Sequence, residues 1–301
     1  MQRLIIYHGD ADGRCSAAIV RKHTQPAENI FYEMQYRDTP PWTIIEGLQP
    51  GVDEVWMVDF SLPSLDMQRI IDHIGLACFF WIDHHVTAIK QAEAAAMVSD
   101  GHGKKFKPVA SQAASLPGIR QFDPPMAACL LTWQFLMGDA LPPLPVRYIA
   151  DRDVWAFKYG STTRAFYESY LQYDDKSPES EIWDRWLDDR RACIWDLLRG
   201  HRLYGARING LRTFAKRYGR PGIIHGTDKT MLTINYPGSG DMGQVIRDMG
   251  YDLAHCYVDS LQNGHLVRVH SIYSDSVHCG DYAQERGGGG HPGAAGWVEN
   301  L

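Results

Sequence analysis

Residues 78 to 85 read CFFWIDHH, an apolar run that ends in one carboxylate and two imidazoles. The run from Cys78 to Ile82 has the length and the aromatic content of a buried strand. The tripeptide Asp83-His84-His85 directly after such a strand has no obvious packing benefit. The stretch therefore predicts a strand whose carboxyl end carries a functional site.

Two earlier segments have the same organisation. Residues 3 to 7 (RLIIY) precede the acidic loop His8-Gly9-Asp10-Ala11-Asp12-Gly13, and residues 54 to 60 (EVWMVDF) carry Asp59 near their end. Each run is followed by a segment of helical composition, and strands that alternate with helices indicate a parallel sheet. Ligands bind where the carboxyl ends of such strands meet loops, so we expect these clusters to lie together.

A fourth cluster, Asp151-Arg152-Asp153, follows the short run Val146 to Ala150, which we interpret as another strand end. Taken singly, each cluster could have a structural role in place of a functional one. These roles are an acidic turn at 8–13, a helix cap at Asp59 and a surface salt-bridge cluster at 151–153. Together they supply at least five carboxylates and two or three imidazoles. Oxygen-rich ligand sets favour Mn²⁺, Mg²⁺ or Fe²⁺ over structural zinc. Two such ions about 3.5–4 Å apart would activate a shared water and clamp a phosphoryl group.

Composition narrows the class of protein. The formal net charge of −6 argues against a protein that coats long nucleic acid, because such proteins carry a basic face. The six cysteines are scattered without a CxxC pair, which favours reduced thiols in the cytoplasm over a disulfide framework or a cysteine-zinc site. No apolar stretch approaches the roughly 20 residues of a membrane span, and we see no signal peptide. A small anionic substrate remains compatible with the negative net charge.

The second half of the chain changes pattern after residues 180 to 217, which predict one or two helices. Short strands are expected at 231–236, 253–259 and 265–273, with Gln262-Asn263-Gly264 as a hairpin turn between the last two. The terminal stretch GGGGHPGAAG, residues 287 to 296, predicts a loop that runs into a helix and whose backbone amides approach an anion. A flexible linker is the alternative.

Five ordered motifs resemble those of the DHH phosphoesterases with a C-terminal DHHA1 domain, a group that includes RecJ exonucleases, nano-RNases and cyclic-dinucleotide phosphodiesterases. These motifs are His8-x-Asp10-x-Asp12-Gly13, Asp59, Asp83-His84-His85, Asp151 and the glycine stretch 287–296. The resemblance implies an α/β protein with an N-terminal parallel-sheet DHH domain at 1–185. A helical linker at 186–217 would join it to a smaller mixed α/β DHHA1 domain at 218–301. The active site would lie in the interdomain cleft.

The resemblance also implies roles for single residues. Asp59 would bridge two Mn²⁺ ions, with Mg²⁺ or Fe²⁺ as other candidates, and a metal-activated hydroxide would attack phosphorus. The remaining metal ligands would be His8 and Asp10 on one ion and Asp12, His84 and Asp151 on the other. His85 would face the phosphate as the catalytic residue, with Asp83 orienting the pair. The terminal nucleotide would be held by Gly288, Gly289, Gly290 and His291.

Two departures from the family pattern bear on the substrate. His8 stands two residues closer to Asp10 than in many members, which weakens its assignment as a ligand. The strand motif Ser-x-Arg-Ser corresponds to Ser271-Ile272-Tyr273-Ser274, which lacks the arginine. Arg268 is a candidate substitute, and a solvent-facing strand residue is the alternative.

We therefore expect a cytoplasmic hydrolase that cleaves phosphodiester bonds in short oligonucleotides or small nucleotides. No membrane association and no stable complex with long nucleic acid are expected, and a homodimer is left open. Two alternatives are a phosphatase on a small nucleotide such as 3′-phosphoadenosine 5′-phosphate and a non-catalytic nucleotide-binding regulator. The sequence assigns no role to Asp153, Tyr273 or Lys104-Lys105.

Overall fold

The computed structural model describes residues 1–36, 38–94, 98–99, 105–106, 116–189, 192–262 and 264–301. The chain divides into two compact units, Met1–His201 and Arg202–Leu301. A long helix, Ile194–Tyr218, occupies most of the segment in which a helical linker is predicted. Of the basic loop at Lys104-Lys105, Lys104 lies outside the described residues.

The first unit contains a four-stranded parallel sheet with the strand order β2-β1-β3-β4. Three of these strands match the predicted runs, and β2 had no counterpart among the predictions. The strands and helices of this unit, in chain order, are β1 Gln2–His8, α1 Ala11–His23, β2 Glu28–Met34, α2 Trp42–Gly47, β3 Glu54–Val58, α3 Ser64–Ile74, β4 Phe79–Ile82, α4 Val86–Ala94, β5 Val98–Ser99, β6 Lys105–Phe106, α5 Ala128–Met137, α6 Leu144–Asp153, α7 Ser161–Leu171 and α8 Glu181–Asp188, followed by α9 Ile194–Tyr218.

Apolar side chains cover both faces of this parallel sheet, which is why its strands appear in the sequence as continuous apolar runs. One face packs against α3, whose Ile70 and Ile74 belong to the same hydrophobic cluster as the even-numbered residues Leu4 and Ile6 of β1. The opposite face, with Ile5, packs against α1 and α5. Because both faces are buried, β1 and β3 are fixed in the interior and their carboxyl ends open at one edge.

The Trp183 and Trp186 side chains of α8 are fully buried and anchor a separate helical core. Their rings approach edge to face at 5.5 Å and contact residues of α7, such as Phe166 and Tyr170. This core also includes residues of α1, α5 and α6. It therefore holds α6 against α1, and both helices carry acidic residues of interest.

The second unit contains a six-stranded mixed sheet in the order β11-β12-β10-β9-β8-β7, in which β8 and β9 pair in parallel and the other neighbours pair antiparallel. The predicted hairpin is confirmed by the pairing of Gln262 with His265 and by the positive φ of 81° at Gly264. Asn263 itself lies outside the described residues. The elements are β7 Arg220–Ile223, β8 Thr230–Asn235, α10 Gly240–Asp248, β9 Leu253–Gln262, β10 His265–Tyr273, α11 Cys279–Gln284, β11 Gly289–His291 and β12 Ala294–Asn300.

The prediction of a loop running into a helix at 287–296 is wrong. Gly289–His291 form β11, which pairs antiparallel with the start of β12 after a turn at Pro292-Gly293. Glycine is needed here for strand packing, since a Cβ on Gly288 would lie 2.1 Å from the carbonyl oxygen of Gly296. Small residues allow this close approach of two backbones.

Replacing Gly288 by alanine should therefore destabilise the second unit. We expect the free energy of unfolding to fall by about 1–3 kcal/mol, the usual cost of overpacking. Chemical denaturation of the full chain measures this. Gly289→Ala is the matched control, because nothing lies within 4 Å of a Cβ there. Equal stabilities for the two variants would contradict the close-packing explanation.

Candidate metal centre

The loop between β1 and α1 supplies the first carboxylate. The Asp10 side chain caps α1 by accepting a hydrogen bond from the Gly13 amide at 2.9 Å, and its other oxygen lies 3.0 Å from Nδ1 of His8. Burial raises the pKa of Asp10, but the hydrogen bonds from His8 and Gly13 outweigh it and lower the value to about 2. Asp10 is therefore ionised and ready to accept a cation.

Asp12 is buried and points at the start of α5. Its carboxylate accepts hydrogen bonds from the amides of Ala128 at 2.7 Å and Cys129 at 2.9 Å, the first residues of that helix. Burial raises the pKa of Asp12, although the charge of His84 opposes the shift. A carboxylate at a helix N-terminus is favoured by the free amides and the helix dipole. This interaction fixes Asp12 before any ligand binds.

Asp59 follows β3 in a left-handed backbone conformation, with φ of 55°. Its amide donates to the carbonyl of Ile82 at 2.9 Å, so the neighbouring strand β4 holds the residue in place. The side chain is 1% exposed, and neither carboxylate oxygen has a hydrogen-bond partner in the described part of the chain. Burial and the charges of Asp12 and Asp10 raise the pKa of Asp59 well above its usual range. Such strain and burial without partners are typical of a functional position.

Asp83 organises the two histidines that follow it. One of its oxygens accepts the amides of His84 at 2.7 Å and His85 at 3.1 Å, and lies 2.7 Å from Nδ1 of His85. The other oxygen accepts the hydroxyl of Ser61, which in turn accepts Nε1–H of Trp81 at 2.9 Å. Asp83 is fully buried. It therefore orients the histidines from beneath and has no free oxygen for a ligand.

His84 is directed into the group of carboxylates. Its Nε2 lies 3.1 Å from Asp59, 3.5 Å from Asp153 and 3.7 Å from Asp12. Nδ1 of His85 lies 3.9 Å from Asp59 but is bonded to Asp83, so its Nε2 is left for other contacts. The two rings have different surroundings and, we infer, different tasks.

Asp151, predicted to be a metal ligand, lies in none of the groups of side chains that could hold a cation among the described residues. Its carboxylate accepts hydrogen bonds from the amides of Lys158 at 2.7 Å and Tyr159 at 3.3 Å and from the hydroxyl of Thr163. The prediction that Asp151-Arg152-Asp153 follows a strand is wrong, because these residues form the end of α6. Residues two apart on a helix point about 200° apart, so Asp151 and Asp153 face opposite ways.

Asp153 occupies the position expected for Asp151. One of its oxygens is buried without a hydrogen-bond partner among the residues described. Burial and the charges of Asp12 and Asp10 raise the pKa of Asp153 to about 8. The Asp-x-Asp spacing itself was the signal in the sequence, but it does not say which aspartate faces inward.

In the part of the chain that the structure describes, three overlapping groups of side chains could each hold a cation, with ligand atoms within 4.8 Å of one another. The first is His8, Asp10 and Asp59; the second is Asp12, His84 and Asp153; the third is Asp59, His84 and His85. Buried carboxylates without partners cost free energy unless a cation compensates them. The mixture of carboxylates and imidazoles fits divalent ions such as Mn²⁺. The residues therefore suit one or more divalent cations.

Manganese should bind more tightly as pH rises from 6 to 8. Asp153 has a pKa of about 8, and that of Asp59 is also raised, so the metal must displace protons below these values. Affinity should rise by up to about tenfold per pH unit for each proton displaced. The stabilisation that Mn²⁺ gives in thermal unfolding, compared at pH 6 and pH 8, measures this. Equal stabilisation at both values would contradict the raised pKa values.

The residues predicted to hold substrate in the second unit lie on an exposed strand. Gly289, Gly290 and His291 are exposed in β11, and Gly288 precedes them. Arg268, the candidate substitute for the missing arginine, forms a two-point ion pair with Asp259 at 2.6 and 3.0 Å. Arg268 is therefore engaged on its own sheet.

The chain resembles several proteins of known structure in its fold. No protein-family profile and no curated protein sequence matches the chain. The pGpG-specific phosphodiesterase PggH from Vibrio cholerae superposes with a TM-score of 0.50 at 12% identity, covering 100% of this chain and 94% of that one. The DHH domain of a member of a ribosomal-protein family has a TM-score of 0.49 at 11% identity, covering 100% and 83%. The chain therefore shares the fold of PggH.

A third structure, RecJ from Thermus thermophilus in complex with Mn²⁺, superposes with a TM-score of 0.45 at 14% identity. The match covers 99% of this chain and 49% of RecJ. The predicted fold class, a parallel-sheet unit together with a mixed α/β unit, is confirmed. Among the described helices, none has the length and apolar character needed to cross a membrane.

Sequence reasoning missed the residues that support the candidate metal centre. Ser61 and Trp81 form the network beneath Asp83, and Phe60 packs beside His8 with ring centroids 6.4 Å apart. Tyr36, in the loop after β2, stacks on Phe60 at 5.1 Å. Ser61 directly follows the sequence Asp59-Phe60, but only the fold brings Tyr36 to this position.

Proposed function

We propose that this protein is a metal-dependent phosphoesterase that hydrolyses phosphodiester bonds in short oligonucleotides or small nucleotides. The observation that carries the proposal is the convergence of Asp10, Asp12, Asp59 and Asp153 at one edge of the first sheet. Among the described residues, both oxygens of Asp59 and one oxygen of Asp153 are buried without a hydrogen-bond partner, and such groups require positive charge nearby. A phosphodiester is an anion whose recognition would use that same positive charge.

Two divalent ions in this centre would polarise the phosphoryl oxygens and lower the pKa of a water molecule. The chain would hold one ion with His8, Asp10 and Asp59 and the other with Asp12, His84, Asp153 and Asp59. The geometry of these ligands is set in advance by hydrogen bonds to backbone amides, as at Asp10 and Asp12. Preorganised ligands lower the cost of forming the site.

His85 would act on the substrate. Burial lowers its pKa, but the hydrogen bond and charge of Asp83 outweigh burial, and the net shift is upward. With Nδ1 held by Asp83, the imidazole presents Nε2 and can carry a proton there. A protonated Nε2 would donate to a phosphoryl oxygen or to the leaving oxygen.

Small substrates are favoured by the acidic balance of the chain, with a net charge of −6. PggH, which has the same fold, is described as specific for the dinucleotide pGpG. Gly288, Gly289, Gly290 and His291 are retained in this proposal as groups that bind the terminal nucleotide.

Incubation of the protein and Mn²⁺ with RNAs of two to five nucleotides, pGpG and cyclic dinucleotides tests the proposal. We expect release of nucleoside monophosphates or linear dinucleotides. Cleavage of long DNA alone, or of none of these substrates, would overturn it. Release of inorganic phosphate from 3′-phosphoadenosine 5′-phosphate would indicate a phosphatase in its place.

A further inference from the structure

A cavity lies directly beside the metal centre in the first unit. Its volume is about 530 Å³, within the range of about 300–1,000 Å³ that is typical of small-molecule sites. His85 lines the cavity and also belongs to the group of Asp59, His84 and His85. A ligand with one end at the centre would therefore extend into this cavity.

The walls of the cavity are mainly apolar and include a tyrosine that is unusually open to solvent. Leu62, Pro63 and Val86 contribute aliphatic surface, with Tyr36 and Phe60 as the aromatic part. Tyr36 is 56% exposed, whereas Phe60 is 2% exposed. An exposed ring fixed on a buried ring presents a flat, apolar face.

Ring contacts hold Tyr36 in position. Its ring stacks on Phe60 with centroids 5.1 Å apart and an interplanar angle of 29°. It also meets His85 edge to face at 5.7 Å and His8 at 5.6 Å. Tyr36 therefore lies over two side chains of the candidate centre.

A bare phosphate gains nothing from this apolar surface, and a sugar ring has no π-face to stack on an aromatic side chain. A nucleobase is flat and presents a π-face for stacking, which is worth about 1–3 kcal/mol per base in single-stranded nucleic-acid binding. The cavity thus matches a nucleoside attached to a phosphate at the metal centre.

We propose that Tyr36, backed by Phe60, is the stacking platform for the base of the nucleotide whose phosphate binds beside His85. This inference rests on the proposed function for the phosphate and adds the subsite for the base. Because every base has a π-face, the platform should accept all four bases. Selectivity would come from other groups.

Equilibrium binding measurements distinguish the contribution of the base to affinity from that of the phosphate. Calorimetric titration of the full Mn²⁺-loaded protein with adenosine 5′-monophosphate and with ribose 5-phosphate would be compared between wild type and Tyr36→Ala. We expect the variant to bind the nucleotide about 5- to 150-fold more weakly, the equivalent of ~1–3 kcal/mol. Ribose 5-phosphate should bind both proteins equally.

Two further variants test whether stacking is the cause. Tyr36→Phe keeps the ring and should retain most of the preference for the nucleotide. Trp195→Ala removes another exposed aromatic side chain of the first unit and should bind like wild type. Equal weakening of both ligands in Tyr36→Ala, or a wild type without preference for the nucleotide, would overturn the inference.

The same experiment separates the inference from the proposed function. Binding that depends on Tyr36 in a protein that hydrolyses none of the test substrates would overturn the function and leave the subsite standing. If Tyr36→Ala hydrolyses a dinucleotide and its abasic analogue with unchanged KM values, the proposed function stands and the base subsite is overturned.

Discussion

Replacing Asp59 by asparagine should reduce phosphodiester hydrolysis on the order of a thousandfold. Asp59 and His84 each belong to two of the groups of candidate ligands, and the Asp59 side chain is 1% exposed. An asparagine offers one neutral oxygen where two charged oxygens are present. Initial rates on the best dinucleotide substrate, together with a titration of Mn²⁺, measure the loss.

The same substitution should make the metal-free protein more stable at pH 8. Both oxygens of Asp59 are buried without partners, next to Asp12 and Asp10, so the wild type must either bury a charge or hold a proton. Asparagine avoids both costs, and we expect a gain of about 1–3 kcal/mol. Since a raised pKa costs stability only above the unfolded value, near 4, the gain should shrink as pH falls towards about 4.

Asp72→Asn is the matched control for Asp59→Asn. Asp72 is exposed on α3 and accepts a hydrogen bond from Gln68 at 2.8 Å. Its substitution should change neither turnover nor the response to Mn²⁺. An Asp59→Asn protein that keeps wild-type turnover, or one that is less stable without metal at pH 8, would show that Asp59 is not a ligand.

Substitutions of Asp151 and Asp153 should have different effects, one on stability and the other on turnover. Asp153→Asn should lower turnover by about 10²–10³-fold and weaken stabilisation by Mn²⁺, with little loss of folding. Asp151→Asn should instead lower the free energy of unfolding by about 1–3 kcal/mol. Its carboxylate accepts two amides and the hydroxyl of Thr163, and an asparagine NH₂ group would face these donors.

Denaturation curves and rates measured well below the melting temperature distinguish the two roles. The Asp151→Asn protein that remains folded should still bind Mn²⁺ and turn over substrate. A stable Asp151→Asn protein without Mn²⁺ binding, combined with an active Asp153→Asn protein, would restore the ligand assignment made from the sequence.

Several parts of the fold were predictable because they depend on local composition. The runs at 3–7, 54–60 and 78–82 are largely apolar because both faces of β1, β3 and β4 are covered. Parallel strands bring their carboxyl ends to one edge, so the convergence of His8, Asp59 and His84 followed from strand order alone. The observed distances among them agree with that expectation.

Two predictions failed for reasons that lie outside local sequence. The segment 146–153 has an apolar run short enough for a strand, yet it forms α6, packed into the helical core around Trp183 and Trp186. The glycines at 287–290 suggest a loop at a helix start, yet they serve the close pairing of β11 with β12. In both cases tertiary packing decided the structure.

The sequence by itself determined the chemistry of the centre, since carboxylates and imidazoles that end buried apolar runs have few structural uses. It also determined that these groups would meet, because parallel strands leave no other arrangement for their carboxyl ends. Only the tertiary structure decided which groups remain free to bind. The carboxylates of Asp151 and Asp83 accept hydrogen bonds from neighbouring groups. Asp59 and Asp153, in contrast, have buried oxygens without partners among the residues described. Burial and hydrogen bonding depend on neighbours distant in the chain, which is why Asp153 and Tyr36 emerged only from the fold.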